Sequence, residues 1–390
     1  MSGAPGSLAS TNQFSTLVVQ TAFLGDVLLG IPLYKALRAQ NPKGRLTLIC
    51  RKGVGSFFKD AKLFDEVIEV AKSDSLFKPS SLSIIRKSLS GQEFDLVICP
   101  HESFRTALFV SRLRSKCKIG YRRLFNFFAF HKRVKRPLEL PEALRQLALL
   151  EPIDPNWKLL LNDFTLKQQA RGGQGLSGSL VTVPEVASLS VPALQEIRTA
   201  KFQNANSIPV STLIEPFADA KDPVIVLAPG SVWPTKMWTK TGFIETAREL
   251  AKARSAITVV MGSKEERFLC EEIANAIPNA ISLAGRTSLF ESAQLLAIAD
   301  LLICNDSGAM HLGAAAGVPI VSVFGPTVLE FGYRPWSNQA AVVQVPLVCR
   351  PCGKHGAERC PLGTHDCMKK ISANDVLKAV QTLTPSETSV

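Results

Sequence analysis

Two α/β halves, each a parallel sheet wound with crossover helices, are what this sequence predicts, on three observations. Short apolar runs alternate with helical patterns from Thr16 toward Leu150, and the alternation restarts at Val224. Between them, from Thr165 to Asp222, the composition changes to that of a linker. The third observation is the stretch Leu301 to Thr327. An apolar run ends there in Asn305-Asp306-Ser307-Gly308, an Ala/Gly-rich helix follows, and a second apolar run ends in Gly325-Pro326-Thr327. Such a strand–turn–helix–strand unit aims the unbonded N–H groups of a helix start beyond the strand ends, where α/β proteins hold phosphate. At 390 residues the chain exceeds what one core usually spans.

In chain order, Met1 to Phe14 is rich in small and polar residues and lacks a basic start followed by an apolar core, so it reads as a frayed tail and not a secretory signal. Thr16–Gln20 is a strand, Thr21–Asp26 a turn, and Val27–Ala39 a helix. Strands follow at Leu46–Cys50 and Asp95–Pro100, with an amphipathic segment near Ser83–Leu89 between them. Arg171–Ser179 looks like flexible linker, Val183–Val191 is rich in Pro, Ser and Val, and Ala193–Phe202 has a helical pattern. The second half reads as strand Val224–Ala228, loop Pro229–Trp238, helix Thr241–Lys252 and strand Ile257–Met261. Helix Glu265–Ala276, short strand Ile281–Leu283 and helix Leu289–Ile298 lead into the 301–327 unit, and Ser372–Leu383 is a last amphipathic helix. The expected organisation is a tail (1–14), an N-terminal domain (15–164), a low-complexity insert (165–222), a C-terminal domain (223–371) with a Cys-rich segment at 349–367, and a final helix and tail (372–390). A cleft between the halves is the natural ligand site.

Hydrophobic residues make up 46% and charged residues 20%, as in soluble globular proteins, and no apolar run is long enough to span a bilayer. The net charge is +12, and its distribution is uneven: Arg105 to Arg136 holds eleven Lys/Arg and no Asp or Glu. That stretch reads either as a solvated face or as a docking surface for polyanions. Its interleaved aromatics (Tyr121, Phe125, Phe127, Phe128 and Phe130) suit an anionic amphiphile at a membrane, or stacked bases. Nine cysteines without an export signal point to a reducing compartment. Four of them, Cys349, Cys352, Cys360 and Cys367, have the spacing C-x2-C-x7-C-x6-C. This fits a structural zinc site, and it fits reduced thiols or a partial disulfide as well.

Three strand-end loops bring a polar or charged residue to a helix start. In Thr21-Ala-Phe-Leu-Gly25-Asp26, Asp26 reads as a helix N-cap, as a general base, or as both. In the loop from Pro229 to Trp238, Lys236 is suited to offset charge on a departing diphosphate, or else is a surface Lys beside packing tryptophans. In Asp306-Ser307-Gly308-Ala-Met-His311, Gly308 permits close backbone approach and Ser307 can cradle phosphate oxygens, while His311 reads equally as a core histidine. No Asp-x-Asp pair stands at a strand end of either half.

Several of these motifs in register resemble the bacterial heptosyltransferases of glycosyltransferase family 9. They are Gly25-Asp26-Val27, Pro229-Gly230-Ser231 with Lys236-x-Trp238, Leu283-Ala-Gly285-Arg286-Thr287-Ser-Leu289, Asn305-Asp306-Ser307-Gly308-x-x-His311-Leu312, and Phe324-Gly325-Pro326-Thr327. The likeness runs from about Thr16 to Lys370, leaving out the tail and the insert. It implies a GT-B fold, with acceptor on the N-terminal side and nucleotide sugar on the C-terminal side of a cleft. It also implies inverting transfer of heptose from ADP-heptose to the lipid A–Kdo–heptose core of lipopolysaccharide, without a catalytic cofactor. By that resemblance Asp26 is the base, Lys236 steadies the leaving ADP, Glu266 (or its neighbour Glu265) holds the ribose, and Asp306, Ser307, Gly308 and His311 line the diphosphate and donor sugar. Gly25, Gly230, Ser231, Trp238, Gly285, Arg286, Thr287, Gly325 and Thr327 complete the substrate set, and Arg105, Arg122 and Arg123 would meet the phosphorylated acceptor. A cytoplasmic monomer, peripheral on the inner face of the inner membrane and binding no nucleic acid, is expected. The Thr21–Asp26 start and the Cys segment lean toward the second-heptose type.

Other readings remain. A family transferase acting on a different nucleotide sugar or acceptor would keep the same motifs. A zinc-bearing nucleic-acid-binding protein would use the charge and the cysteines but leaves Lys236-x-Trp238 unexplained. A nicotinamide-dependent oxidoreductase would require Gly-x-Gly-x-x-Gly after the first strand, where Thr-Ala-Phe-Leu-Gly-Asp stands. A nonenzymatic sugar-nucleotide sensor would have no use for Asp26.

Overall fold

The computed structural model describes residues 14–71, 85–87, 89–158, 165–166, 181–182, 188–203 and 209–383. Nearly all of the expected N-terminal tail, the Arg171–Ser179 linker, residues 183–187, Ser83, Ile84 and Ser88 of the Ser83–Leu89 segment, and the last seven residues lie outside them. The chain divides into two compact units, Met1–Asn162 and Asp163–Val390.

The first unit holds strands β1 (Thr16–Gln20), β2 (Leu46–Arg51), β3 (Glu66–Val70), β4 (Glu93–Cys99), β5 (Arg114–Tyr121) and β6 (Lys132–Val134). They form one sheet in the order β3-β2-β1-β4-β5-β6, every pair parallel. The central strand β1 is buried along its whole length, as expected for a parallel strand covered on both faces. Its helices are α1 (Leu24–Leu28), α2 (Ile31–Gln40), α3 (Gly55–Asp60), α4 (Phe104–Ser111) and α5 (Glu142–Leu147). Leu17, Val19, Ile49, Val97, Phe109 and Val110 fill one face of the core.

The helix expected at Val27–Ala39 is two pieces. The chain enters α1 at Leu24 from Phe23, which provides no side-chain cap, and breaks around Gly30 before Pro32 starts α2. Asp26 therefore lies inside the first turn of α1 and is not its N-cap. Strands β3, β5, β6 and β14 escaped the sequence reading: Glu66, Glu69, Arg114, Lys116, Lys118, Lys132 and Arg133 interrupt the first three, and β14 (Ala340–Val343) is an apolar run of only 4 residues.

The second unit begins with a two-residue hairpin, β7 (Thr165–Leu166) and β8 (Val181–Thr182), then α6 (Pro192–Phe202) and α7 (Glu215–Ala218). Its sheet contains β9 (Val224–Ala228), β10 (Ile257–Val260), β11 (Ile281–Ser282), β12 (Leu301–Asn305), β13 (Ile320–Val323) and β14 (Ala340–Val343). The order is β11-β10-β9-β12-β13-β14, again all parallel. Helices α8 (Lys240–Arg254), α9 (Arg267–Asn275), α10 (Leu289–Ile298), α11 (Gly308–Ala316), α12 (Asp366–Lys369) and α13 (Ala373–Leu383) cover it. Thr239 caps α8 and a Ser288/Glu291 capping box starts α10, the side-chain devices that satisfy a helix's first N–H groups.

The helix expected near Ala193–Phe202 is α6. It is docked on the second unit: Leu194 and Ile197 are buried, and Arg198 donates to the carbonyls of Ala297 and Ala299 (3.2 and 3.1 Å) at the end of α10. That end of the low-complexity stretch is thus folded onto the second unit. Among the described residues no helix is long and apolar enough to cross a membrane.

Candidate active site

In the second unit the carboxyl ends of β9, β12 and β13 converge on one charged pair. Lys236 Nζ donates to Asp306 Oδ2 at 2.6 Å, and Thr327 Oγ1 donates to the same oxygen at 2.6 Å. Both charged side chains are largely buried, with 12% and 6% of their surface exposed, so the pair is shielded from solvent screening. Asn305, which carries no charge and drew no role from the sequence, holds this geometry. Its Nδ2 donates to the Pro229 carbonyl (2.7 Å) and its Oδ1 accepts from the Trp238 amide (2.9 Å), pinning both ends of the Lys236 loop to β12. Trp238, expected at the nucleotide, is instead a core residue. It is 3% exposed, packs on Phe243, and donates its indole N–H to the Ile371 carbonyl at 3.0 Å.

Beside the pair, α11 starts at Gly308. Ser307 Oγ and His311 Nδ1 are buried without a hydrogen-bond partner. A buried polar atom left unsatisfied costs about 1–3 kcal/mol, so two at one helix start mark a place where a bound group would supply the bonds. Burial pushes the His311 imidazole down to about 4; the Asp306 carboxylate opposes the shift and the Lys236 ammonium adds to it. His311 is therefore neutral at neutral pH.

A second cluster forms at the carboxyl ends of β9, β10 and β11. A Cβ at Gly230 would fall 2.0 Å from Glu266 Oε1, so only glycine allows this carboxylate against the Pro229–Ser231 turn. Glu266 also accepts from the Ser263 amide at 2.7 Å, whereas Glu265 is exposed and its carboxylate bonds its own amide and the Ser263 side chain. Gly285 has φ +69°, and a Cβ there would meet the Lys264 backbone at 2.9 Å. Arg286 is exposed, and Thr287 bonds Ser292 at 2.8 Å. Ser231 Oγ accepts from the Trp233 amide, and Gly325 packs on Met368.

The Cys-rich segment buttresses the Lys236 loop, a function its spacing does not suggest. Thr235 Oγ1 donates to the Ala357 carbonyl (2.7 Å), the Thr235 amide donates to the same oxygen (3.2 Å), and His365 Nε2 lies 2.8 Å from the Thr235 carbonyl. Arg350 Nη2 donates to the Thr327 carbonyl at 2.7 Å. All nine cysteines are free, and Cys367 is buried while Cys349 is exposed. Among the described residues no group of three or more His, Cys, Asp or Glu side chains is arranged to hold a metal ion. The zinc expectation for Cys349, Cys352, Cys360 and Cys367 thus gains no support, and hydrogen bonds hold the segment.

In the first unit Asp26 is half-buried on α1, just past the carboxyl end of β1 and its Gly25. Gln146 Nε2 donates to the Asp26 carbonyl at 2.8 Å and fixes the turn. Along the same sheet edge, His101 Nδ1 lies 2.8 Å from Thr21 Oγ1 and 2.9 Å from Thr106 Oγ1. The basic stretch is less naked than its composition suggests. Arg123 donates to Glu102 at 2.5 Å, and Arg136 bridges Glu102 and Glu142. Burial pushes Glu102 up, but hydrogen bonds and charge from Arg123 and Arg136 outweigh it and hold the carboxyl below its usual range. Arg105 and Arg122 are exposed.

Two parallel sheets of Rossmann order, with a lysine–carboxylate pair and a helix start at one strand edge, define an α/β protein of the GT-B class. The family model for glycosyltransferase family 9 (heptosyltransferase) matches residues 180–361. That match takes in just under half of the chain, all of it in the second unit. It is 32% identical over 166 residues to a lipooligosaccharide heptosyltransferase 2 of Campylobacter jejuni, a match covering 41% of this chain and 50% of that relative, so the chain spans about half of its length. It is 22% identical over 373 residues to lipopolysaccharide heptosyltransferase 2 of Escherichia coli K12, covering 94% and 97%. In fold it is similar to the solved ADP-heptose lps heptosyltransferase II of E. coli, with a TM-score of 0.64 at 21% identity over 95% of this chain and 98% of that one.

Proposed function

We propose that the chain moves heptose from ADP-heptose onto the inner core of lipopolysaccharide, acting as the second-heptose enzyme, with the first unit taking the acceptor and the second the donor. The observation that carries this reading is the strand-end site of the second unit, where the Lys236 ammonium is held by Asp306 beside a helix start with two unpartnered polar atoms. A diphosphate suits that chemistry: Lys236 and the N–H groups of α11 meet negative charge, and Ser307 Oγ and His311 Nδ1 find partners. Glu266 would accept from a ribose hydroxyl. The relatives named above are heptosyltransferases, the solved one an ADP-heptose lps heptosyltransferase.

In the reaction, the Asp26 carboxylate takes the proton from an acceptor hydroxyl as its oxygen attacks the anomeric carbon. The bond to the diphosphate oxygen breaks, and ADP leaves carrying the electron pair and charge that Lys236 offsets. One displacement with one base inverts the anomeric carbon. Arg105 and Arg122 face the phosphorylated acceptor, which the enzyme meets at the cytoplasmic surface of the inner membrane.

The test is ADP release from ADP-heptose against a panel of truncated lipopolysaccharide cores. Release with the core bearing one heptose, and none with the heptose-free core, is expected. Release only with another nucleotide sugar, or only with a heptose-free acceptor, would replace the reading with another member of the family.

A further inference from the structure

The carboxyl edge of the first sheet carries a feature that donor binding and base chemistry leave unused. After β5 the chain makes a tight turn, a single 3-10 turn at Leu124–Asn126, that presents apolar side chains to water. Leu124 is 98% exposed, Phe127 67% and Phe104, at the start of α4, 56%. Four rings form one cluster, since Phe104 lies 6.2 Å from Phe125 and 6.3 Å from Phe128, and Phe127 packs on Phe128 at 5.7 Å; Leu124 precedes Phe125 on the same turn. The turn is built and not frayed. Beneath it Asn126 is buried, donating to the Tyr121 carbonyl (2.9 Å) and accepting from the Arg123 amide (3.0 Å), while Ala129 and Phe130 anchor its far end in the core. Exposed Arg105, Arg122 and Lys135 flank it, within a stretch of eleven cations and no acidic residue.

We propose that this turn is a membrane-docking knob, whose Leu124 and Phe127 enter the headgroup–acyl boundary of an anionic bilayer while the flanking cations meet the lipid phosphates. Exposed aromatic clusters on a soluble chain mark interaction surfaces, and a cationic rim selects an anionic bilayer as the occupant. Because β1, β4 and β5 are parallel, the turn after β5 shares an edge with Asp26 after β1. Docking there brings the edge bearing the base to the surface where a lipid-linked acceptor sits. That consequence rests on the function proposed above; the docking itself does not.

The test is sedimentation of the full chain with vesicles of phosphatidylcholine alone and of phosphatidylcholine with phosphatidylglycerol. Binding to the mixed vesicles, weakened by salt, is expected, and Leu124→Ser with Phe127→Ser together should lower the affinity by about tenfold or more. ADP release with a lipid-free acceptor should be equal for the two proteins. Equal vesicle affinity would overturn the proposal. So would a concentration-dependent dimer, formed without vesicles and abolished by the double substitution, because a second copy would then be the occupant. If neither protein releases ADP, the proposed reaction fails while the vesicle comparison still decides the docking.

Discussion

The two units share one strand order, β3-β2-β1-β4-β5-β6 in the first and β11-β10-β9-β12-β13-β14 in the second, and so place corresponding loops at corresponding strand ends. What fills those loops differs. After β1 the chain sets a carboxylate, Asp26, on the same strand edge as a hydroxyl–imidazole group made by Thr21, His101 and Thr106. After β9 it sets Lys236, and after β12 the Asp306 that holds it, with Gly230 and Gly285 letting backbone and carboxylate close up. The sheets are interchangeable as scaffolds. The division of chemistry proposed above, a proton acceptor on one edge and an anion site on the other, would lie in the strand-end loops.

Replacing the base should break the contrast most sharply. Asp26→Ala is expected to lower turnover by about 10²–10⁴-fold, the range for a lost general base, while ADP binding measured by calorimetry stays within about twofold. Unchanged turnover would remove Asp26 from the chemistry.

Lys236→Met attacks the other edge. Turnover should fall by about 10²–10³-fold, and Asp306 is left buried without its counter-charge, which costs roughly 3 kcal/mol in thermal unfolding. Adding Asp306→Asn should restore most of the stability and none of the activity. Recovery of activity in the double variant would make the pair structural only.

The smallest effect concerns His311. Its imidazole stays neutral in the folded chain down to about 4, against an ordinary value of 6.5. Between those values the unfolded chain binds a proton that the folded chain refuses, so stability is full above 6.5 and falls as pH drops toward 4. The loss approaches about 3 kcal/mol. His311→Asn should flatten that part of a urea-denaturation pH series, whereas an unaltered slope would show that other groups set it.

Strands β1, β2, β4, β9, β10, β12 and β13 and the helices that follow β1, β9, β10, β11 and β12 were legible in the sequence because their apolar patterns are regular and their turns carry Gly and Pro. β5 was not, since Arg114, Lys116 and Lys118 alternate along it, and the Lys118 ammonium is buried only by reaching the Ser111 carbonyl at 2.9 Å. Lys236 and Asp306 were both singled out, but their union depends on Asn305, whose part appears only when two loop ends 9 residues apart close on it. Trp238 misled for a physical reason: an indole in a glycine-bounded loop suits stacking, yet its N–H found the Ile371 carbonyl and its ring the core. The spacing of the cysteines left metal and free thiols both open, and nothing in C-x2-C reveals that Ala357 and His365 nearby are what touch the Lys236 loop.

The tie between Thr235 and Ala357 joins positions 122 residues apart. All six strands of the second sheet are complete by Val343, so the scaffold exists before the buttress does. A chain clipped ahead of Ala357 would lose that brace together with Met368, Ile371, Val376 and Val380 of the core and the Ile371 carbonyl that receives the Trp238 indole N–H. The residues from Ala357 onward therefore hold up the strand edge at which Lys236 meets Asp306, although no strand of the sheet comes from them.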